Sequence, residues 1–92
     1  SLLHTIAGMF IAQMEDKLAE LNSALEKGDH EATRFVSHSI KGNAGDVGAV
    51  AVHKMAAELE KLAKAQNLDD INAVMPLFTA TVSATLAAMG EE

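Results

Sequence analysis

Between Ser37 and Gly48 the chain reads SHSIKGNAGDVG, placing one histidine, one lysine and three glycines on a stretch that otherwise favours helix. A neutral imidazole is a nucleophile, and an exposed histidine is mostly neutral near pH 7. A lysine one turn away supplies a cation for any anionic group brought to that ring. At about 100° per residue around a helix, Ala32, Phe35, Val36 and Ile40 form one face, and Arg34, His38, Lys41 and Gly45 fall on the opposite one. His38 is therefore expected in solvent. Gly42 and Gly45 follow it by four and seven residues, and each costs a helix roughly 1 kcal/mol relative to alanine. Bare backbone beside a nucleophile lets another protein and a tetrahedral phosphoryl group approach; crowding between helices or a fraying end is the plainer reason.

The elements that must carry these residues are helices. Leu3, Ile6, Phe10, Met14, Leu18, Leu21 and Leu25 recur at steps of three and four, the period of a long amphipathic helix, which Gly28-Asp29 ends. Asp29 then caps a second helix, Glu31 to Ala44, bearing His38. A third runs from Ala49 to Ala65, with Val52, Met55, Leu59 and Leu62 inward, Lys54, Glu58, Lys61 and Lys64 solvated, and Asn67 as its stop. Asp69 caps a fourth segment, where Ile71, Val74, Met75, Phe78, Val82, Leu86 and Met89 form a stripe up to Gly90. Pro76 removes a backbone bond inside it, so that segment is expected either kinked or split. Four such segments with short connections pack most simply as an all-α, antiparallel up-down four-helix bundle. Phe10, Phe35 and Phe78 are assigned to its core, and His4, His30 and His53 to its surface.

Composition narrows the function classes. Ninety-two residues form one domain, and 49% apolar with 22% charged residues is the balance of a globular chain. The absence of cysteine removes disulfides and thiolate metal sites and fits a reducing compartment. A formal net charge of -6 repels nucleic acid. No apolar run was expected to approach the ~20 residues of a membrane span, and the N-terminus lacks the pattern of a signal peptide. The chain starts at Ser1 without Met, which reads as a fragment of something larger. His30-Glu31 opens like a zinc-protease helix, but Arg34 occupies the second histidine's place. There is no P-loop, kinase nucleotide signature or GxSxG motif, so any phosphoryl group must come from another protein.

The run His38-Ser39-Ile40-Lys41-Gly42, with a further glycine at Gly48, resembles the signature of the histidine-containing phosphotransfer (HPt) domains of two-component phosphorelays, and most of all those of hybrid sensor kinases. Asn43 stands where a smaller residue is commoner. The resemblance implies that His38 accepts a phosphoryl group from a phospho-aspartate receiver domain and passes it to another response regulator. It gives Lys41 the role of stabilising phosphoryl charge, with Arg34, Gly42 and Gly45 at the partner contact and Gly48 in the turn after the helix. It implies no cofactor and no metal on this chain, Mg²⁺ being held by the receiver's acidic pocket. It further implies receiver domains as partners, while the net charge and the apolar runs lead to the expectation of no nucleic acid and no direct membrane contact. The isolated domain is expected to be a cytoplasmic monomer, taken from a hybrid kinase at the inner membrane or acting as a free shuttle. Two alternatives differ in wiring or in kind: a chemotaxis-kinase-type domain loaded directly by an ATP-binding kinase domain, and a catalytically silent helical adaptor.

Overall fold

A computed structural model describes residues 1–90. It contains α1 (Leu2–Glu26), α2 (His30–Asp46), α3 (Val50–Lys64) and α4 (Leu68–Gly90). Each helix packs on the next and α4 returns to α1, which closes an elongated four-helix bundle of 42 × 18 × 18 Å.

One device is used at all three reversals. Beyond α1, the N–H of Asp29 donates to the Ala24 carbonyl (3.0 Å) and that of Gly28 to Leu25 (3.1 Å). Beyond α2, Ala49 donates to Ala44 (2.8 Å) and Gly48 to Gly45 (3.2 Å). Beyond α3, Asn67 donates to Leu62 (2.9 Å) and Gln66 to Ala63 (3.0 Å). These paired bonds are the Schellman motif, which requires a left-handed residue after the helix cap. Gly28 (φ 65°) and Gly48 (φ 73°) supply it without a steric cost, whereas the third turn puts Gln66 there (φ 55°).

The next helix starts at once. Asp29 Oδ1 accepts from Ala32 N (3.0 Å), as its sequence position predicts. At α4 the cap is Asn67, not Asp69: Asn67 Oδ1 accepts from Asp70 N (3.2 Å) while its Nδ2 donates to Asp70 Oδ2 (2.8 Å). The residue that ends one helix thus begins the next, because the Schellman turn leaves it in position to cap.

The core holds Phe10, Met14, Leu21, Ile40, Leu59, Ile71, Phe78 and Val82. Leu3 and Ile6 of the predicted α1 stripe are exposed, since the first turns of α1 run along the bundle's open end. On α3 the inward set is Val52, Ala56, Leu59, Glu60 and Ala63; Met55 and Leu62 are half-buried at its margin.

Phe35 is a correction. It is 66% exposed, whereas Thr33, Val36, Ser37, Ile40 and Ala44 are buried. α2 is rotated so that its small residues meet the neighbouring helices, and the Thr33 hydroxyl satisfies itself by donating to the Asp29 carbonyl (2.9 Å). That rotation turns the ring of Phe35 outward.

α4 is one helix, unsplit at Pro76. Pro76 cannot donate to the Asn72 carbonyl, but both residues lie on the exposed side, so the freed carbonyl is open to solvent and not buried. The expectation that no apolar run approaches membrane length is also corrected: by length and composition alone α4 is sufficient to cross a bilayer. In this fold Ile71, Phe78 and Val82 bury one stripe of it, and Ala, Ser and Thr occupy much of the exposed side from Ala73 onward.

The three turns share one hydrogen-bond pattern and only the third puts a side chain at the left-handed position, so Gln66→Gly should stabilise the protein by about 1 kcal/mol by relieving the Cβ contact. Thermal unfolding is the measurement; an unchanged or lower midpoint would show that Gln66 carries no strain.

Candidate functional site

His38 projects from the middle of α2 with its side chain 61% exposed. Its Nδ1 lies 2.8 Å from Oε2 of Glu60 on α3, and Oε1 of the same carboxylate accepts from Lys41 Nζ at 2.6 Å. Glu60 is only 9% exposed in its side chain and Lys41 28%. One buried carboxylate therefore bridges the exposed imidazole and the cation of the next turn.

The bridge decides the chemistry of the ring. The Lys41 hydrogen bond holds the Glu60 carboxyl below its ordinary range; burial opposes this, and the His38 contact adds to it. An ionised carboxylate only accepts, so Nδ1 must donate. In a neutral ring the proton then sits on Nδ1, and Nε2, across the ring from Glu60, keeps its lone pair.

Lys41 is thus less solvated than its place on α2 predicts, because α3 reaches across to it. Arg34, one turn before His38, pairs with Glu31 through Nε (3.2 and 3.3 Å) and Nη2 (2.5 Å). That pairing holds the carboxyl of Glu31 low and the guanidinium of Arg34 high in pKa. Gly42 faces open space: a Cβ there would meet nothing within 4 Å. Gly45 differs, since a Cβ would lie 3.2 Å from Nδ1 of His53. The structure thereby supplies a reason within the chain for this glycine. Gly48 sits in the turn, as expected.

His53 is half-buried, and its Nδ1 meets the Lys41 carbonyl at 2.8 Å. Its assignment to the free surface is corrected. Sequence reasoning also missed Glu60. The available signal was periodic: Val52, Ala56, Leu59 and Ala63 line the inner face of α3, and Glu60 interrupts that face with a charge. A carboxylate on a buried stripe implies a partner.

An ionised Glu60 makes stability depend on acid. Its pKa lies below the ordinary 4.5 in the folded protein, so its contribution is present above that value and fades as pH falls toward the folded one. Urea unfolding from pH 6 downward should accordingly show a steeper loss of stability in the parent protein than in Glu60→Gln, whose side chain does not titrate. Parallel pH profiles would show that Glu60 gains nothing from its partners.

With this geometry established, comparison with known proteins adds two findings. The model of the Hpt domain family matches residues 3–89. The fold is similar to the crystal structure of histidine-containing phosphotransfer protein B from Pseudomonas aeruginosa PAO1, with a TM-score of 0.84 and 28% identity over 95% of this chain and 72% of that one. No curated protein sequence matches. A four-helix bundle holding an exposed histidine on a buried carboxylate, matched by the family model over nearly its whole length, belongs to the Hpt family, and its function is phosphorelay signalling through histidine phosphotransfer.

Proposed function

We propose that Nε2 of His38 is the atom that takes and gives the phosphoryl group, and that the partners on both sides are receiver domains carrying an aspartyl phosphate. The observation that carries this reading is the contact between His38 Nδ1 and Glu60 Oε2 at 2.8 Å, which points the unprotonated nitrogen away from the bundle.

In the forward step the Nε2 lone pair forms a bond to phosphorus while the bond from phosphorus to the aspartyl oxygen breaks, and the carboxylate leaves with the electron pair. Nδ1 keeps its proton throughout. The ring therefore gains positive charge as the bond to phosphorus forms, and the Glu60 carboxylate is already in place to stabilise it. The reverse step discharges the same ring onto a second receiver. No proton has to leave His38, so no general base is required.

Phosphoryl transfer proceeds through a loose transition state governed by alignment and by charge on the equatorial oxygens. Lys41 uses one of its three N–H donors on Glu60, leaving the others for those oxygens. The receiver brings Mg²⁺ in its own acidic pocket. Gly42 leaves the backbone beside His38 open for that approach, and Arg34 lies at its edge. Phe35, one turn before His38 and largely exposed, adds the apolar anchor that the sequence assigned to the core.

Incubation with a phosphorylated receiver should place acid-labile, alkali-stable phosphate on the parent protein and none on His38→Gln, with the helical circular-dichroism signal equal in both. Label on the variant would assign the acceptor elsewhere. Phe35→Ala should weaken receiver binding by about 5- to 30-fold, as for a buried aromatic anchor, and leave the melting temperature nearly unchanged. Unaltered affinity in a titration would remove Phe35 from the docking surface.

A further inference from the structure

We infer that His53 is a positioning residue for phosphoryl transfer: its Nδ1–H pins the Lys41 carbonyl to α3, seated in the space that Gly45 leaves bare. This inference rests on the phosphotransfer reading above.

The geometry grips Lys41 at both ends. A carbonyl oxygen only accepts, so the 2.8 Å contact makes Nδ1 of His53 the donor. In α2 the same carbonyl also takes the helical N–H of residue 45, and its two lone pairs accommodate both. The Lys41 ammonium is held 2.6 Å from Glu60. His53 and Glu60 are seven residues apart on α3, two turns along one face. α3 thus holds the main chain of Lys41 with one side chain and its charge with another.

The clamp falls where α2 is weakest. After Lys41 the helix carries Gly42 and Gly45, residues that favour helix poorly. Opening of this end would let the Lys41 carbonyl drift and carry the ammonium off Glu60, loosening the carboxylate that orients His38. The bare Gly45 suits the clamp, because a Cβ there would stand 3.2 Å from Nδ1 of His53 and push the imidazole a few tenths of an ångström off its seat. A glycine that weakens the helix is kept where it admits the imidazole that secures it.

The test is a double-mutant cycle read as the rate of loading from a receiver domain phosphorylated with acetyl phosphate. His53→Leu should slow loading about three- to tenfold with Lys41 present and less than about twofold in the Lys41→Ala background. His53→Asn, which retains an N–H donor near the same position, should restore most of the rate. Gly45→Ala provides a second arm that does not rely on a folding-sensitive deletion: it should leave the helical signal and melting temperature undiminished, slow loading as His53→Leu does, and have no further effect in a His53→Ala background. Equal slowing by His53→Leu with and without Lys41, or a parental rate in Gly45→Ala, would overturn the clamp while leaving phosphotransfer intact. Slowing by Gly45→Ala that persists without the imidazole would assign Gly45 to partner clearance and likewise overturn it. Failure of the parent protein to load at all would overturn both readings.

Discussion

The site depends on one carboxylate in the wrong place for a solvent-exposed charge. Glu60 is buried on the inner face of α3, and a buried ion is costly unless its oxygens are occupied. Lys41 and His38 occupy one oxygen each, so the partner the carboxylate needs for solvation is the group whose chemistry it sets. The proton placed on Nδ1 and the cation held nearby are two consequences of one desolvated charge. Of the three groups the histidine alone is largely exposed, whereas the carboxylate and most of the lysine stem are held against the bundle.

Such an arrangement needs two helices in a set rotation, and the turns provide it. Three consecutive Schellman reversals leave only three residues between one helix and the next, so little slack remains between α2 and α3. Short connections limit how far one helix slides past the other, and the buried Ala44, Ala56 and Ala63 allow close approach. The glycines of the motif then divide their work. Gly48 serves the reversal, Gly42 borders open surface, and Gly45 makes room for an imidazole from α3. The same residue type answers three different steric questions within seven positions.

The rotation that serves the site also determines the surface around it. Turning Thr33 and Ser37 inward sends Phe35 outward, one turn from His38, which gives this face an exposed apolar ring. α4 lies elsewhere in this logic: it completes the core with Ile71, Phe78 and Val82 and presents mainly small residues outward.

The sequence by itself determined what a single helix can encode. Periodicity located four helices, Gly28 and Gly48 marked two reversals, Asp29 marked a cap, and the spacing of His38, Lys41 and Gly42 pointed to the family, because all these signals lie within a few residues of one another. Tertiary structure decided what depends on how two helices face each other. Glu60 stands 22 residues from His38, and His53 stands 12 from Lys41, so no local period relates them. Phe35 lay at the margin of its apolar stripe, where a modest rotation of α2 separates core from surface. That rotation is set by the summed packing of all four helices, a quantity that no one segment contains.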